Sequence, residues 1–252
     1  MELLKGKTIL ITGISGEIGS AAASLFAEAG AEVVGTARDH AKAAGIIDSV
    51  AAKGGKISFI GADITDDKSV SSLFEAIKAK HSRLDGAFNT VGIQQSRRAM
   101  PDISANDLDQ IMGVNARGTF LCLQHELRIM VKQGGAGSVV NLSSIGGMEA
   151  LRHAAAYCAS KFGVQGMTRT AALDVAEAGV RVNSVCAGAF GGHGKAEAGA
   201  EKLHMENIPM KRVAEAKEIA ALAMFLLSDH AAYITGQSIA VDGGVTAGLL
   251  AV

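Results

Sequence analysis

Residues 7–19 read Lys7-Thr8-Ile9-Leu10-Ile11-Thr12-Gly13-Ile14-Ser15-Gly16-Glu17-Ile18-Gly19. A strand-forming run, Lys7–Thr12, passes directly into a turn bearing three glycines, and Glu17–Ala29 beyond it has helical composition. Strand, glycine turn and helix in that order are the first half of a βαβ unit. Glycines at this junction let the backbone turn tightly and approach a pyrophosphate. The helix start supplies unpaired N–H groups and a positive dipole end. The reading is a dinucleotide cradle formed by Gly13, Ser15, Gly16, Ile18 and Gly19.

Working outward, the same alternation fills the chain. Glu32–Thr36, Lys56–Ile60, Leu84–Asn89, Ser138–Leu142, Val180–Val185 and Ser238–Val241 read as further strands. Several are apolar on consecutive residues, as in a parallel sheet covered on both faces. Between them Ser69–Lys80, Asn106–Lys132, Ala155–Ala178 and Ala216–Leu227 read as helices. The expected fold is α/β, a Rossmann-like, doubly wound, mostly seven-stranded parallel sheet with helices on both faces. One domain spans residues 1–252, with a substrate lid around 187–214, where no strand is evident.

Composition narrows the partners. Of 252 residues 48% are hydrophobic, only 2 are Pro and 31 are Gly, which argues against disorder. A formal net charge of -1 gives no basic field for nucleic acid. Neither a signal peptide nor an 18-residue apolar run is evident, so a cytoplasmic protein without membrane attachment is expected. Cys122, Cys158 and Cys186 lie far apart, which disfavours a disulfide framework or a metal site. Arg97-Arg98 reads as solvated surface.

Strand ends refine the ligand. The second strand closes on Thr36-Ala37-Arg38. A guanidinium there suits the 2′-phosphate of NADP, whereas an acidic residue would select NAD. Asp39 complicates this, since it has the chemistry to pair with Arg38 or to reach the ribose. Asp63-Ile64 follows the third strand, where a carboxylate can accept from the adenine amino group. Asn89 and Gly92 follow the fourth, where a small residue lets the cofactor pass close to the backbone.

Chemistry is carried by Tyr157-Cys158-Ala159-Ser160-Lys161, at the start of an expected helix. The i, i+4 spacing places the phenol and the amine one turn apart on one face. A neighbouring ammonium lowers a phenol's pKa toward neutral pH and suits it to acid/base work. Ser143-Ser144 end a strand at the same edge. The substrate pocket is expected between Gln94-Gln95, residues 146–153 and the lid, with Gln94, Ser144, Arg152, His153 and Tyr157 meeting a small carbonyl or alcohol.

The chain resembles the short-chain dehydrogenase/reductase family over nearly its whole length. The resemblance rests on the first glycine turn, Asp63, Asn89-x-x-Gly92, Asn115, Ser144, Tyr157-x-x-x-Lys161, Asn183 and Asp242-Gly243-Gly244. It implies an NAD(P)-dependent oxidoreductase in which Tyr157 is the general acid/base and Lys161 binds the nicotinamide ribose and depresses the Tyr157 pKa. Ser144 would hydrogen-bond the reacting oxygen, and Asn115 would hold a relay water. Gly188 joins the cofactor set. Sheet order 3-2-1-4-5-6-7 and a homotetramer or homodimer are also implied. Three positions depart from the family pattern: Glu17 stands for a glycine, Ala187-Gly188 for Pro-Gly, and no Thr follows at the lid. The altered turn keeps two alternatives open, a catalytically silent nucleotide sensor or scaffold and an epimerase or dehydratase with tightly held NAD.

Overall fold

Strand β1 (Thr8–Thr12) is buried along its whole length. Its side chains divide by the pleat: Ile9 and Ile11 enter one core, Leu10 the other. The same division recurs at Val33 and Val34 of β2 (Glu32–Thr36), Phe88 and Ala87 of β4 (Gly86–Asn89), and Val140 and Val139 of β5 (Ser138–Ser144). Consecutive apolar residues therefore serve two layers. With β3 (Lys56–Phe59), β6 (Arg181–Ala187) and β7 (Ser238–Val241) they form one parallel sheet, ordered β3-β2-β1-β4-β5-β6-β7. The computed structural model describes residues 2–191 and 206–248.

Helices α1 (Glu17–Glu28), α2 (His40–Ala52) and α7 (Ala216–Leu227) cover one face through Ala22, Phe26, Ala43, Ile219 and Ala223. On the other face α3 (Asp67–Lys80), α5 (Thr119–Lys132) and α6 (Ala155–Val175) contribute Leu73, Phe74, Ile77, Leu121, Met130 and Ala172. Among the described residues, no helix is long and apolar enough to cross a membrane.

The structure alters several expectations. Asn106–Lys132 is not one helix. It divides into α4 (Ala105–Ile111), a π-helical segment Met112–Gly118, and α5. Ser104 and Asp107 start α4 with a reciprocal capping box. The wider π turn brings Asn115 fully inside, a change of phase that apolar periodicity does not encode. Helix α2 was not among the helices read from sequence. Its start is the Asp39 side chain, which accepts from Ala41 N at 2.9 Å. Strands β5 and β6 run two residues further than expected, because Ser143 pairs with Cys186 and Ser144 with Ala187. The middle of the 187–214 segment, including His193, lies outside the described residues. Its two described ends meet, with Ala214 N donating to Ala189 O at 3.0 Å and Phe190 bridging to Ala214.

Candidate active site

Register decides where the site falls. Thr12 lies beside Thr36 on one side and Asn89 on the other, so the ends of β2, β1 and β4 are level. The sheet order reverses between β1 and β4, and there the crossovers leave a crevice. A cleft of about 410 Å³ opens at this edge. It runs from residues 16–19 past Thr90, Gly92 and Gln94 to Ser144, Tyr157, Lys161, Gly188 and Phe190.

At one end the first turn is held by Gly13 N and Ile14 N, which donate to Thr36 O at 2.8 and 3.1 Å. A Cβ on Gly19 would collide with Gly13 O, so helix and turn approach as only a glycine allows. No side chain caps α1. Its first N–H groups are therefore left for an anion, which fits a pyrophosphate. Ile18 is buried beneath the turn, whereas Ser15 and Glu17 are exposed, and Glu17 lines the cleft.

Arg38 is exposed at the end of β2. Asp39 is engaged at the start of α2, which leaves Arg38 without that partner. Asp63 accepts from Thr65 N at 2.9 Å and from Thr65 Oγ1 at 2.7 Å. These two bonds hold its carboxyl below the usual range, with a smaller contribution from Arg38. Ile64 packs against Gly118. Arg38, Asp63 and Ile64 thus lie on the expected sheet edge but outside the cleft's lining.

At the other end Ser144 closes β5, and its Oγ accepts from Gly146 N at 3.1 Å. Tyr157 and Lys161 project from the first turns of α6. Lys161 Nζ lies 5.8 Å from the Tyr157 ring centre and donates to Leu142 O at 3.0 Å. A Cβ on Gly92 would approach Lys161 Nζ to 3.3 Å and Asn115 Oδ1 to 3.4 Å, so the glycine keeps open the space beside both. Burial pushes the Tyr157 phenol above its ordinary value, opposed first by Ser144 and less by Arg97. Burial also brings Lys161 down to about 8. Burial thus outweighs the lowering contributions of Ser144 and Arg97 at Tyr157, and the Lys161 amine is turned to a main-chain carbonyl.

The remaining expected site residues take protein partners. The Asn115 side chain is bonded to the loop after β4 and to α6. Its Oδ1 accepts from Ile93 N at 2.8 Å, and its Nδ2 donates to Ile93 O at 2.9 Å and Ser160 Oγ at 3.0 Å. Three of its four side-chain hydrogen-bonding sites are used, and the residue clamps the loop after β4 onto α6. Arg152 and His153 are exposed and do not line the cleft. Their carbonyls instead anchor the opposite loop: Arg152 O accepts from Arg97 Nη1 at 2.9 Å and His153 O from Arg98 N at 3.1 Å. His153 holds φ at 64° in doing so.

Two residues of this loop do more than their sequence reading implies. Arg97 lines the cleft, while its neighbour Arg98 turns out to Asp107 at 3.3 Å. Gln95, read only as pocket lining, also has Oε1 accepting from Tyr157 N at 2.7 Å. Helix α6 has no side-chain cap at Ala154, and Gln95 serves that end from across the cleft. A loop has no period, so no spacing signal distinguished Arg97 from Arg98.

A nucleotide cradle beside a Ser-Tyr-Lys cluster at the switch point of a parallel sheet defines a dinucleotide-dependent oxidoreductase. Residues 13–246 match the family model described as Enoyl-(Acyl carrier protein) reductase. The chain belongs to the short-chain dehydrogenase/reductase family and is an NAD(P)-dependent oxidoreductase. It is 37% identical over 249 residues to an A-factor type gamma-butyrolactone 1'-reductase (1S-forming) of Streptomyces virginiae, covering 97% of each chain. It is 36% identical over 253 residues to a 2,5-dichloro-2,5-cyclohexadiene-1,4-diol dehydrogenase of Sphingobium indicum, covering 98% of this chain and 100% of the relative. A short-chain type dehydrogenase/reductase from Mycobacterium marinum superposes with a TM-score of 0.91 at 32% identity, over 98% of both chains.

Proposed function

We propose that the protein interconverts a carbonyl and a secondary alcohol with NADP, using Tyr157 as general acid/base. The observation that carries this reading is the meeting of Ser144, Tyr157 and Lys161 in one cleft with the uncapped first turn of α1. The first turn of α1 would hold the pyrophosphate, Arg38 the 2′-phosphate and Asp63 the adenine. Bound there, the nicotinamide supplies or accepts the hydride. Ser144 and Tyr157 stabilise negative charge developing on the substrate oxygen, and the Tyr157 hydroxyl gives up its proton to that oxygen. Lys161, still mostly protonated at neutral pH with a pKa of about 8, supplies positive charge at the floor of the site. The arms of residues 187–191 and 206–214 border the substrate side as the roots of a lid.

Replacing Tyr157 by Phe is expected to lower turnover by about 10²-fold or more while leaving NADPH affinity intact. Normal turnover in that variant refutes the role. For the cofactor, Arg38→Asp should shift preference from NADP toward NAD in paired titrations, and an unchanged preference refutes the assignment. Glu17 in the cleft favours one competing reading, a silent nucleotide sensor. NADPH binding with no turnover across ketones, oxo acids, quinones and sugars would support that reading instead. Self-association is inferred along α5 and α6, where Phe120, Leu127, Val131 and Met167 line an apolar groove of about 690 Å³. Light scattering on the purified protein reads the expected dimer or tetramer.

A further inference from the structure

We propose that Arg97 is a specificity-determining residue, and that the substrate carries a carboxylate (or an equivalent oxyanion) which this guanidinium binds while its carbonyl meets Tyr157. The proposal rests on the carbonyl-reductase reading above and names its substrate class.

The argument begins with how Arg97 is held. The loop after β4 is fastened to the segment leading into Tyr157 at three points. Gln95 Oε1 accepts from Tyr157 N at 2.7 Å, Arg97 Nη1 donates to Arg152 O at 2.9 Å, and Arg98 N donates to His153 O at 3.1 Å. The guanidinium is thereby positioned relative to the phenol although the side chain itself is exposed. Its charge reaches that phenol, where it opposes the effect of burial.

Like Arg38, Arg117 and Arg181, Arg97 stands outside the ion pairs among the described residues, but of these it is the arginine that lines the cleft. Arg83 meets Asp85 at 3.0 Å, Arg98 meets Asp107 at 3.3 Å and Arg212 meets Glu218 at 2.7 Å. Arg97 has no carboxylate partner among the described residues and uses one of its five N–H donors on a carbonyl. The remaining fork suits two parallel bonds to a carboxylate. Around it the cleft wall is neutral, built of Ile93, Gln94, Gln95 and Leu151, and the carboxylate that lines the cleft, Glu17, belongs to the cofactor end. A cationic substrate would be repelled here and a neutral one would leave the guanidinium unused. An anion is the ligand whose chemistry this wall completes.

The test compares straight-chain 2-, 3-, 4- and 5-oxo acids with their methyl esters, using NADPH and NADH, in the parent, Arg97→Leu and Arg97→Lys. Charge-assisted pairing predicts that the parent favours at least one acid over its ester by about 10-fold or more in kcat/KM, mainly through KM. Arg97→Leu should collapse that acid-to-ester ratio toward one, and Arg97→Lys should restore part of it. High salt should weaken the parent's preference more than that of the Leu variant. An absent acid preference, or one that survives in Arg97→Leu, overturns the proposal. If no acid or ester is turned over, calorimetry of the same acids with the protein–NADPH complex decides the Arg97 claim, while the carbonyl-reductase reading is decided by the wider panel of ketones, quinones and sugars. Binding weakened about 10-fold in Arg97→Leu upholds the anion site, and no binding or equal binding overturns it.

Discussion

Glu126 lies on α5, fully buried, against Asn89 at the end of β4. Asn89 Nδ2 donates to its Oε2 at 3.0 Å, while Oε1 has no partner among the described residues. One hydrogen bond does not offset removal of a carboxylate from water. Burial therefore raises its pKa from 4.5 to about 8, and the residue is a neutral acid at pH 7. An acid whose pKa is raised by folding retains a proton that the unfolded chain releases. Its contribution to stability is full below pH 4.5, falls as pH rises, and is gone above about 8. At about 1.4 kcal/mol per pH unit, the loss across that interval is about 5 kcal/mol, of which roughly 3 has occurred by pH 7. Glu126→Gln keeps an acceptor for Asn89 and cannot ionise, so its own orphaned N–H carries a pH-independent cost. Urea unfolding followed by circular dichroism at pH about 5, 6.5 and 8, at one protein concentration, reads both slopes. The variant should gain on the parent steadily as pH rises. Parallel curves would refute the picture of a buried neutral carboxyl.

Lys161→Met should behave with the opposite sign. Folding lowers the lysine's pKa from 10.5 to about 8, so the cost of burying its charge is full below pH 8 and fades toward 10.5. The variant is expected to be inactive yet more resistant to urea at pH 7, with an advantage that vanishes in strong base. Gly19→Ala drives a Cβ into Gly13 O. It should weaken NADPH binding more than 10-fold in a fluorescence titration, with the sheet retained by circular dichroism. Gln95→Leu removes the acceptor for Tyr157 N–H, so a loss of about 1 kcal/mol in stability and a lower kcat at unchanged cofactor affinity are expected.

The legibility of the site followed its chemistry. Tyr157 and Lys161 were readable because one helical turn separates them in sequence, and Ser144 because it closes a β-branched run. All three line one cleft. Arg152 and His153 adjoin Tyr157 in sequence yet contribute carbonyls rather than side chains, because the backbone there reverses with His153 at positive φ. Glu126 gave no signal at all. It sits on the face of α5 that buries Cys122, Leu123 and Met130, and Asn89 at the end of β4 supplies its hydrogen bond.

Periodicity and turn chemistry are local properties, so the chain by itself determined the strands, most helices, the glycine cradle and the family. Long-range packing decided the rest. The π turn that draws Asn115 inward, the loop fastening that holds Arg97 at the cleft wall, and the burial that raises the phenol's pKa all depend on residues far apart in sequence. Charge and hydrogen-bond partners are assigned by which surfaces meet, and that is settled only when the sheet and its two helical layers close together.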